Sequence, residues 1–417
     1  MFKFLRNFLF LFLVSPVAFA AQFHVGNFTL NGSTGNQVIH ATTFQPKLVM
    51  FFGANNTGDG NLTNAANVFG AAASSSERWS MSLFAADAQA ANTADRRFTS
   101  SSCYSSVDSA GAALHEFDFV SFNPDGFTIN VTTSASTRIV GFIAIGGPDF
   151  SAKVGTFDGP ASAATSTVSG LGFKSSVVIL GNTQSNITEG SALSYIYMLG
   201  AAVSSSSRWV IQTIGLEATE PTQENRYWST TEIVHRQSDG GNSQVANFVS
   251  HNDNGFSISF TTTSTSMRYG YIALGGISAQ TGTFAQPGAA STQEISGLNF
   301  HPRLLLFGST STTSASGTYE AHSRMAIGAG ASASLMFATS YGSSDAVSTS
   351  VADRRSVNSQ VITHLTEGTP TVNAEADLLS TRAGAFNLNW STADASARNE
   401  VYLALGDVKN GSGVIVN

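Results

Sequence analysis

Cysteine, charged residues and long apolar runs are all scarce in this 417-residue chain. The single cysteine, Cys103, cannot form a disulfide within the chain, so stability must come from packed cores. Charged residues make up 11% of the sequence, and glycine, serine, threonine and alanine are abundant, a composition typical of turn-rich β-structure. Beyond the first twenty residues no apolar stretch is long enough for a membrane helix. We therefore expect no membrane insertion.

Motifs for catalysis and cofactor binding are also missing. The sequence has no Gly-x-Ser-x-Gly elbow, no His-Glu-x-x-His pair, no Cys-x-x-Cys and no Gly-x-x-x-x-Gly-Lys loop. Three weaker arrangements favour a structural interpretation over a catalytic or metal-binding one. They are His235 with Asp239 and Ser243 as a triad, residues 55–60 as a calcium loop, and Glu116 with Asp118 as glycosidase acids. We expect no enzyme activity, no cofactor and no metal.

The first twenty residues have a basic start, a short apolar run and a small-residue end. Lys3 and Arg6 lie before the apolar run, and Ala18 and Ala20 lie at its end. This pattern predicts a secretory signal peptide over residues 1–20, cut after Ala20. No cysteine follows the cut to accept a lipid. The sequence therefore predicts a secreted, extracellular or periplasmic protein.

The charge that remains after cleavage excludes one class of partner. Without Lys3 and Arg6 the chain has 18 basic and 27 acidic residues, a net charge of −9. This acidity argues against nucleic acid or an anionic membrane as the main partner.

The chain repeats itself three times. The block Val25-Gly26-Asn27-Phe28 recurs at 154–157 and 281–284, and closing blocks recur at 141–147, 270–276 and 401–406. Apolar residues alternate with polar ones at Phe127, Ile129 and Val131, and again at Phe256, Ile258 and Phe260, which predicts short half-buried strands. Seven or eight strands per repeat without helical periodicity predict an all-β chain of three tandem antiparallel β-sandwich, jelly-roll-like repeats. The predicted domains are 21–152, 153–278 and 279–417, packed in a row or around a pseudo-threefold axis.

A turn glycine recurs in each repeat, at Gly126, Gly255 and Gly384. The preceding Asn and Asp residues predict a type I turn in which the glycine takes a positive φ. In the third repeat the apolar alternation starts one residue later, at Phe386. We expect a β-bulge near Ala385 to absorb that shift.

Candidate binding residues come from repeated arginines and from one arginine-tryptophan pair. The pair occurs as Arg78-Trp79 and Arg208-Trp209, is absent from the third repeat, and could offer a glycan an aromatic platform and a hydrogen-bonding fork. Two further arginine columns favour a structural role over a ligand role, and they are Arg96, Arg226 and Arg354, and Arg138, Arg268 and Arg398. Dissimilar connections at 55–66, 182–192 and 309–322 are the loops where we expect binding specificity.

Three blocks of the repeat resemble a known family module. They are residues 294–307, 119–127 and 268–275, which contain a Phe-x-Pro strand, an Asp-Gly-Phe hairpin and a closing Tyr-x-Ala strand. In this they are similar to the β-sandwich repeats of phage virion proteins of the tail and tail-fibre type. The resemblance implies a virion surface or attachment role and brings no catalytic residues with it. The signal peptide departs from that family, and it fits a secreted protein built from a similar module.

Two function classes fit this sequence best, and a third stays open. The first is a secreted, non-enzymatic binding or adhesion protein that recognises a glycan or a surface protein through its variable loops. The second is a self-assembling extracellular or virion structural component, in which apolar faces pack against copies of the same chain. The third is a polysaccharide-acting enzyme with its site in one divergent repeat.

Overall fold

The computed structural model describes residues 21–238 and 241–407. The predicted leader, 1–20, and Asp239 lie outside these described residues. Every regular element within the two ranges is a β-strand, which confirms the all-β prediction. No helix with the length and hydrophobicity to cross a membrane occurs in the described part of the chain.

The strands fall into three sets of eleven, more than the seven or eight predicted. Unit 1 contains β1 (Gln22–Leu30), β2 (Gly35–His40), β3 (Pro46–Gly53), β4 (Gly60–Thr63), β5 (Ala65–Ala72), β6 (Arg78–Ala85), β7 (Ala94–Thr99), β8 (Tyr104–Val107), β9 (Ala113–Asn123), β10 (Gly126–Ser134) and β11 (Arg138–Gly146). Unit 2 contains β12 (Ser151–Gly159), β13 (Ala164–Ser169), β14 (Val177–Asn182), β15 (Gly190–Leu193), β16 (Tyr195–Ala202), β17 (Arg208–Gly215), β18 (Glu224–Ser229), β19 (Val234–Ser238), β20 (Gly241–Asn252), β21 (Gly255–Thr263) and β22 (Met267–Gly275). Unit 3 contains β23 (Ser278–Ala285), β24 (Ser291–Ser296), β25 (Pro302–Ser309), β26 (Tyr319–Ala321), β27 (Ser323–Ser332), β28 (Leu335–Ser343), β29 (Ala352–Val357), β30 (Ile362–Leu365), β31 (Val372–Arg382), β32 (Ala385–Thr392) and β33 (Asn399–Gly406).

These limits correct the predicted domain boundaries. A boundary at 152/153 cuts through β12, and one at 278/279 cuts through β23. The junctions lie slightly earlier, in the turns at 147–150 and 276–277. The repeated blocks Val154–Phe157 and Thr281–Phe284 used to mark the starts are therefore interior to their strands.

The strands form six antiparallel sheets, three of seven strands and three of four. In unit 1 the large sheet has the order β1-β11-β3-β5-β6-β7-β15 and the small sheet the order β2-β10-β9-β8, and the other units repeat this pattern. In the run β3-β5-β6-β7 each strand pairs with the one that precedes it in the sheet and in the chain, apart from the exchanged β4, so this run is a meander. The antiparallel sheets agree with the predicted β-sandwich, and the jelly-roll-like arrangement of each repeat stays a prediction.

The seventh strand of each large sheet comes from a different unit. β15 of unit 2 pairs with β7 of unit 1, β26 of unit 3 pairs with β18 of unit 2, and β4 of unit 1 pairs with β29 of unit 3. The exchange is cyclic, so the units close into a ring and do not form a row. The donated strands lie in the connections at 55–66, 182–192 and 309–322. Those connections are therefore parts of sheets, and the expectation that they carry binding specificity stays a prediction.

Four apolar cores hold this ring together. Three of them lie between the large and the small sheet of one unit each. The fourth lies where the large sheets of all three units meet, and it includes Phe69, Trp79, Trp209 and Phe337. Because this core is shared, the three units contribute to one another's stability.

The prediction of a positive φ holds for the hairpin glycines Gly126, at 157°, and Gly384, and it fails for Gly255. Gly384 does have a left-handed φ, of 81°. Gly255 does not, and it begins β21 directly opposite Asn252. A Cβ atom on Gly255 would lie 2.0 Å from the carbonyl oxygen of Val168 on β13. Glycine is required at this position by the close approach of a neighbouring strand, not by its conformational freedom.

The bulge predicted near Ala385 lies elsewhere. Ala385 begins β32 opposite Arg382 without a register shift, and the shift falls between Leu378 and Ser380 on β31. Units 1 and 2 have the same shift at the equivalent place on β9 and β20. Because all units share the bulge, the one-residue offset of unit 3 arises upstream of β31.

We predict that Gly255→Val destabilises the protein by about 2 kcal/mol or more, because the new side chain overlaps the β13 backbone. Thermal unfolding of the variant and of Gly58→Val measures the effect. Gly58 has no atom within 4 Å of an added Cβ and no left-handed φ, so its variant should melt close to the parent. Equal melting temperatures for both variants would contradict the close approach of β13.

Candidate functional site

The two tryptophans of the predicted glycan platform lie in the seams between units. Trp79 and Trp209 are both fully buried. The Trp79 indole Nε1 donates to the carbonyl oxygen of Tyr271 at 3.0 Å, and that of Trp209 donates to the carbonyl oxygen of Tyr402 at 3.0 Å. No ring face is open to solvent, so the prediction that these tryptophans form an aromatic platform for a glycan is wrong. These side chains join one unit to the next.

Unit 3 has the same seam contact without a tryptophan. Phe337 occupies the equivalent place on β28, and its ring packs against Phe52 at 5.4 Å between centroids. Its ring also fills the space beside Gly141, where an added Cβ would overlap it. Trp79, Trp209 and Phe337 follow one another at nearly the same repeat spacing in the sequence. Unit 3 has a phenylalanine at this position, so the Arg-Trp motif does not reveal the equivalence. The contact occurs at all three seams.

The arginines of the same pair bond within their own units. Arg78 Nε donates to the carbonyl oxygen of Ser101 at 3.0 Å, and Arg208 Nε donates to that of Thr231 at 2.6 Å. Arg78 also pairs with the carboxylate of Asp118. Both guanidinium groups therefore have internal partners, and a ligand role for them stays a prediction.

The first arginine column clamps the exchanged strands. Each of its members reaches across a seam to the donated strand or to the residue that follows it. The bonds are Arg96 to the carbonyl oxygen of Leu193 at 2.8 Å, Arg226 to the carboxylate of Glu320 at 2.7 Å, and Arg354 to the carbonyl oxygen of Thr63 at 2.7 Å. Burial lowers the pKa of Arg96 and of Arg354 to about 10, so both stay charged at neutral pH. This column is structural, and its partner is the neighbouring unit of the same chain.

The second column lies at the start of each closing strand. Arg268 forms a two-pronged pair with Asp158 at 2.8 and 3.0 Å and also bonds Glu189 at 3.0 Å. Arg398 bonds Asp394 at 2.8 Å, and Arg138 bonds the hydroxyl of Ser136 at 2.6 Å. Hydrogen bonds to Asp158 raise the pKa of Arg268 above its ordinary value. Arg268 and Arg398 brace the connections that carry β15 and β26, through Glu189 and the carbonyl oxygen of Ser311.

The described members of the weak catalytic arrangements have other partners, and Asp239 of the triad lies outside the described residues. Both ring nitrogens of His235 are bonded to Glu232 and Tyr319, whereas the Ser243 hydroxyl bonds Arg236. Glu116 is paired with Arg97, so it and Asp118 are neutralised by arginines of their own unit. Cys103 is buried, and burial raises the pKa of its thiol. No group of three or more potential metal ligands occurs among residues 21–238 and 241–407.

One buried carboxyl group collects hydrogen bonds from all three units. Glu224 of unit 2 accepts from Asn92 of unit 1 at 2.7 Å and from Ser343 of unit 3 at 3.0 Å. The Tyr195 hydroxyl of unit 2 donates to its other oxygen at 2.6 Å. Burial raises the pKa of Glu224 to about 8, although these hydrogen bonds act in the opposite direction. The equivalent positions, Ala94 and Ala352, are apolar, so the other seams lack this group.

The seam between units 2 and 3 also contains an aromatic cluster, whereas the other two seams have ion pairs at the equivalent positions. At those seams Arg97 pairs with Glu116, and Arg355 pairs with Glu375. In unit 2 the corresponding residue is Tyr227, whose ring stacks on His235 with 3.6 Å between centroids. His235 is bonded to Glu232 at 2.8 Å and to the Tyr319 hydroxyl at 2.5 Å. The cluster consists of Tyr227, Glu232, His235 and Tyr319, and it fixes the Tyr319 ring on the donated strand β26.

A groove of about 440 Å³ lies beside this cluster. Its walls come from β17, β18 and β19 of unit 2, and from β26 and the β28–β29 connection of unit 3. That volume falls in the range of small-molecule sites, about 300–1,000 Å³. The polar residues that line it are Gln223, Glu224, Asn225, Gln237, Tyr319, Glu320 and Asp345. Sequence reasoning missed this groove because its residues come from five separate segments, and only the exchange of β26 brings them together.

We predict that Arg96→Lys lowers the free energy of unfolding by about 1–3 kcal/mol, because lysine keeps the charge but loses the fork that spans the seam. Chemical denaturation measures this change. The control is Arg382→Lys, whose parent side chain is 56% exposed in a surface pair with Glu294. A loss no larger than that of the control would contradict the clamp.

We predict that Glu224→Gln removes part of the pH dependence of stability. The pKa of Glu224 is raised from 4.5 to about 8 on folding, so its stabilising contribution is complete below pH 4.5 and is lost as pH rises through about 8. Glutamine keeps hydrogen-bonding groups at this position and carries no charge. The variant should therefore melt like the parent near pH 4.5 and above it near pH 8, in a series of melting curves. A constant difference across that range would contradict the burial of an ionisable group there.

Comparison with known proteins adds no family to these observations. The chain matches no protein-family model and no curated protein sequence. The resemblance to phage virion repeats therefore stays a prediction carried by short β-motifs, and function has to be inferred from the groove and the seams themselves.

Proposed function

We propose that this chain is a secreted, non-enzymatic glycan-binding protein whose site is the groove between units 2 and 3. The observation that carries the proposal is the combination in one groove of a partly exposed aromatic ring, Tyr319, with the amide side chains of Gln223, Asn225 and Gln237. Sugar rings present apolar faces to aromatic rings and hydroxyl groups to amides and carboxylates. The proposed glycan site is therefore the seam between units 2 and 3, and it replaces the Arg78-Trp79 and Arg208-Trp209 pairs predicted from the sequence.

The rigidity of the site supports a binding role. Tyr319 is 36% exposed, and its ring lies 4.8 Å from Tyr227 and 5.5 Å from His235 between centroids. An aromatic ring already fixed in place loses little conformational entropy when a ligand packs on it. Glu224 is held by Asn92 and Ser343, and Glu320 by Arg226. Because two of the three carboxyl groups in the groove already have protein partners, binding is favoured over hydrolysis, and the polysaccharide-acting enzyme remains the weaker alternative.

The predicted export leader, the tandem β-sandwich units and the phage-like attachment role belong to the same proposal. The leader at 1–20 would direct export, and three tandem β-sandwich units would form the exported body. Both fit a protein that meets glycans outside the cell. A phage-like attachment role is compatible with this site, because attachment to a cell surface also proceeds through glycans.

A second candidate function, self-assembly, is favoured by a different surface. Val120, Val249 and Leu379 occupy the equivalent bulge in each small sheet, and they are 41%, 43% and 42% exposed. Three apolar side chains repeated around a ring could contact copies of the same chain. The protein would then be a structural component of an extracellular or virion assembly.

We predict that Tyr319→Ala weakens glycan binding by roughly tenfold or more, a loss of about 1.4 kcal/mol or more. The measurement is a glycan-array screen of the chain from Ala21 onward, followed by calorimetric titration with the best glycan. Ser191→Ala and Asn61→Ala are matched controls, because these residues hold the position of Tyr319 at the other seams.

Light scattering on the same preparation separates the two candidates. A monomer that binds a glycan and loses it only in Tyr319→Ala supports the binding function. A large assembly without any glycan signal would replace it with self-assembly. Equal losses in all three variants would place the glycan outside this groove.

A further inference from the structure

The groove between units 2 and 3 is rich in hydrogen-bond acceptors and has no cationic side chain in its lining. Three carboxyl groups line it, those of Glu224, Glu320 and Asp345. Glu320 is matched by Arg226 at 2.7 Å. Burial would raise the pKa of Glu320, but hydrogen bonds from Ser314 and Arg226 lower it to about 2. Glu320 is therefore ionised at neutral pH, and the charge of Arg226 balances it.

Asp345 is the carboxylate without a compensating cation. Its Oδ1 accepts the backbone N–H of Glu224 at 2.7 Å. Among the ion pairs of residues 21–238 and 241–407, none involves Asp345. A carboxylate at a partly buried wall attracts a cation more strongly than one in bulk water.

Two further acceptors in the lining lack donors. The side-chain oxygens of Asn225 and Gln237 are buried and have no hydrogen-bond partner in the described part of the chain. An unsatisfied buried acceptor costs about 1–3 kcal/mol. Both residues are only partly buried and line the groove. A ligand that supplies several N–H or O–H donors would satisfy these oxygens.

We infer that the groove selects an amino sugar with a free amine, whose ammonium group pairs with Asp345 and whose ring packs on Tyr319. An ammonium group carries three donors and no acceptor, which complements a lining of acceptors. An aromatic face next to a cation adds about 0.5–1 kcal/mol at an exposed site. Acidic sugars are disfavoured, because their carboxylates would face Asp345 and Glu320. This inference rests on the proposed function and names the substrate class of the same site.

The test is calorimetric titration of the chain from Ala21 onward with three oligosaccharides of equal length. These are glucosamine oligomers, their N-acetylated counterparts and oligogalacturonate. We expect glucosamine oligomers to bind roughly tenfold more tightly than the acetylated ones, and oligogalacturonate not to bind. In Asp345→Asn the preference should disappear, because asparagine keeps the acceptor for the Glu224 N–H but loses the charge.

The matched control is Asp87→Asn. Asp87 holds the equivalent position in unit 1, accepts the N–H of Ala352 at 3.0 Å, and is not in the lining of the groove. Its variant should keep the preference, and melting curves of both variants verify folding. If acetylated and free oligomers bind equally, the inference is overturned while the proposed function stands. If no oligosaccharide of any kind binds, the proposed function fails as well.

Discussion

The rest of this structure depends on the pairing of each large sheet with a strand from another unit. An open sheet edge presents unpaired N–H and C=O groups and invites unwanted association. Here the edge strands β7, β18 and β29 are covered by β15, β26 and β4. Because each unit both donates and receives one strand, the exchange closes only when all three are present. Arg96, Arg226 and Arg354 then hold the donated strands by hydrogen bonds that cross the seams.

Strand exchange also explains why the seams share a backbone and differ in chemistry. The donated strands pair in the same way, yet equivalent positions hold Ser191, Tyr319 and Asn61. At two seams an arginine-glutamate pair fills the space beside the donated strand. At the third, Tyr227 and His235 fill it and fix the Tyr319 ring. A repeated scaffold can therefore carry a single site, because divergence in a short donated strand changes one seam and leaves the ring intact.

The interior shared by the three units contains a buried polar network around Glu224 as well as an apolar core. Trp79, Trp209 and Phe337 bury apolar area between units, which stabilises contact but tolerates small changes of orientation. Glu224 is different, because its hydrogen bonds to Asn92 and Ser343 require all three units to be in register. A buried network of this kind adds specificity to an interface whose main stabilisation is apolar.

The sequence by itself determined the strand content, the threefold repeat and the absence of familiar catalytic motifs, because alternation of apolar residues and turn glycines is local information. It also favoured a structural role for the arginine columns over a ligand role, since a residue needed in every repeat serves what the repeats have in common. The tertiary structure alone decided the ring, the exchanged strands, the role of Gly255 and the place of the groove. These depend on pairing between segments that are far apart in the chain, such as Arg354 with Thr63. Tyr319 lies in a connection that resembles neither of its counterparts, so only its partners across the seam reveal what it does.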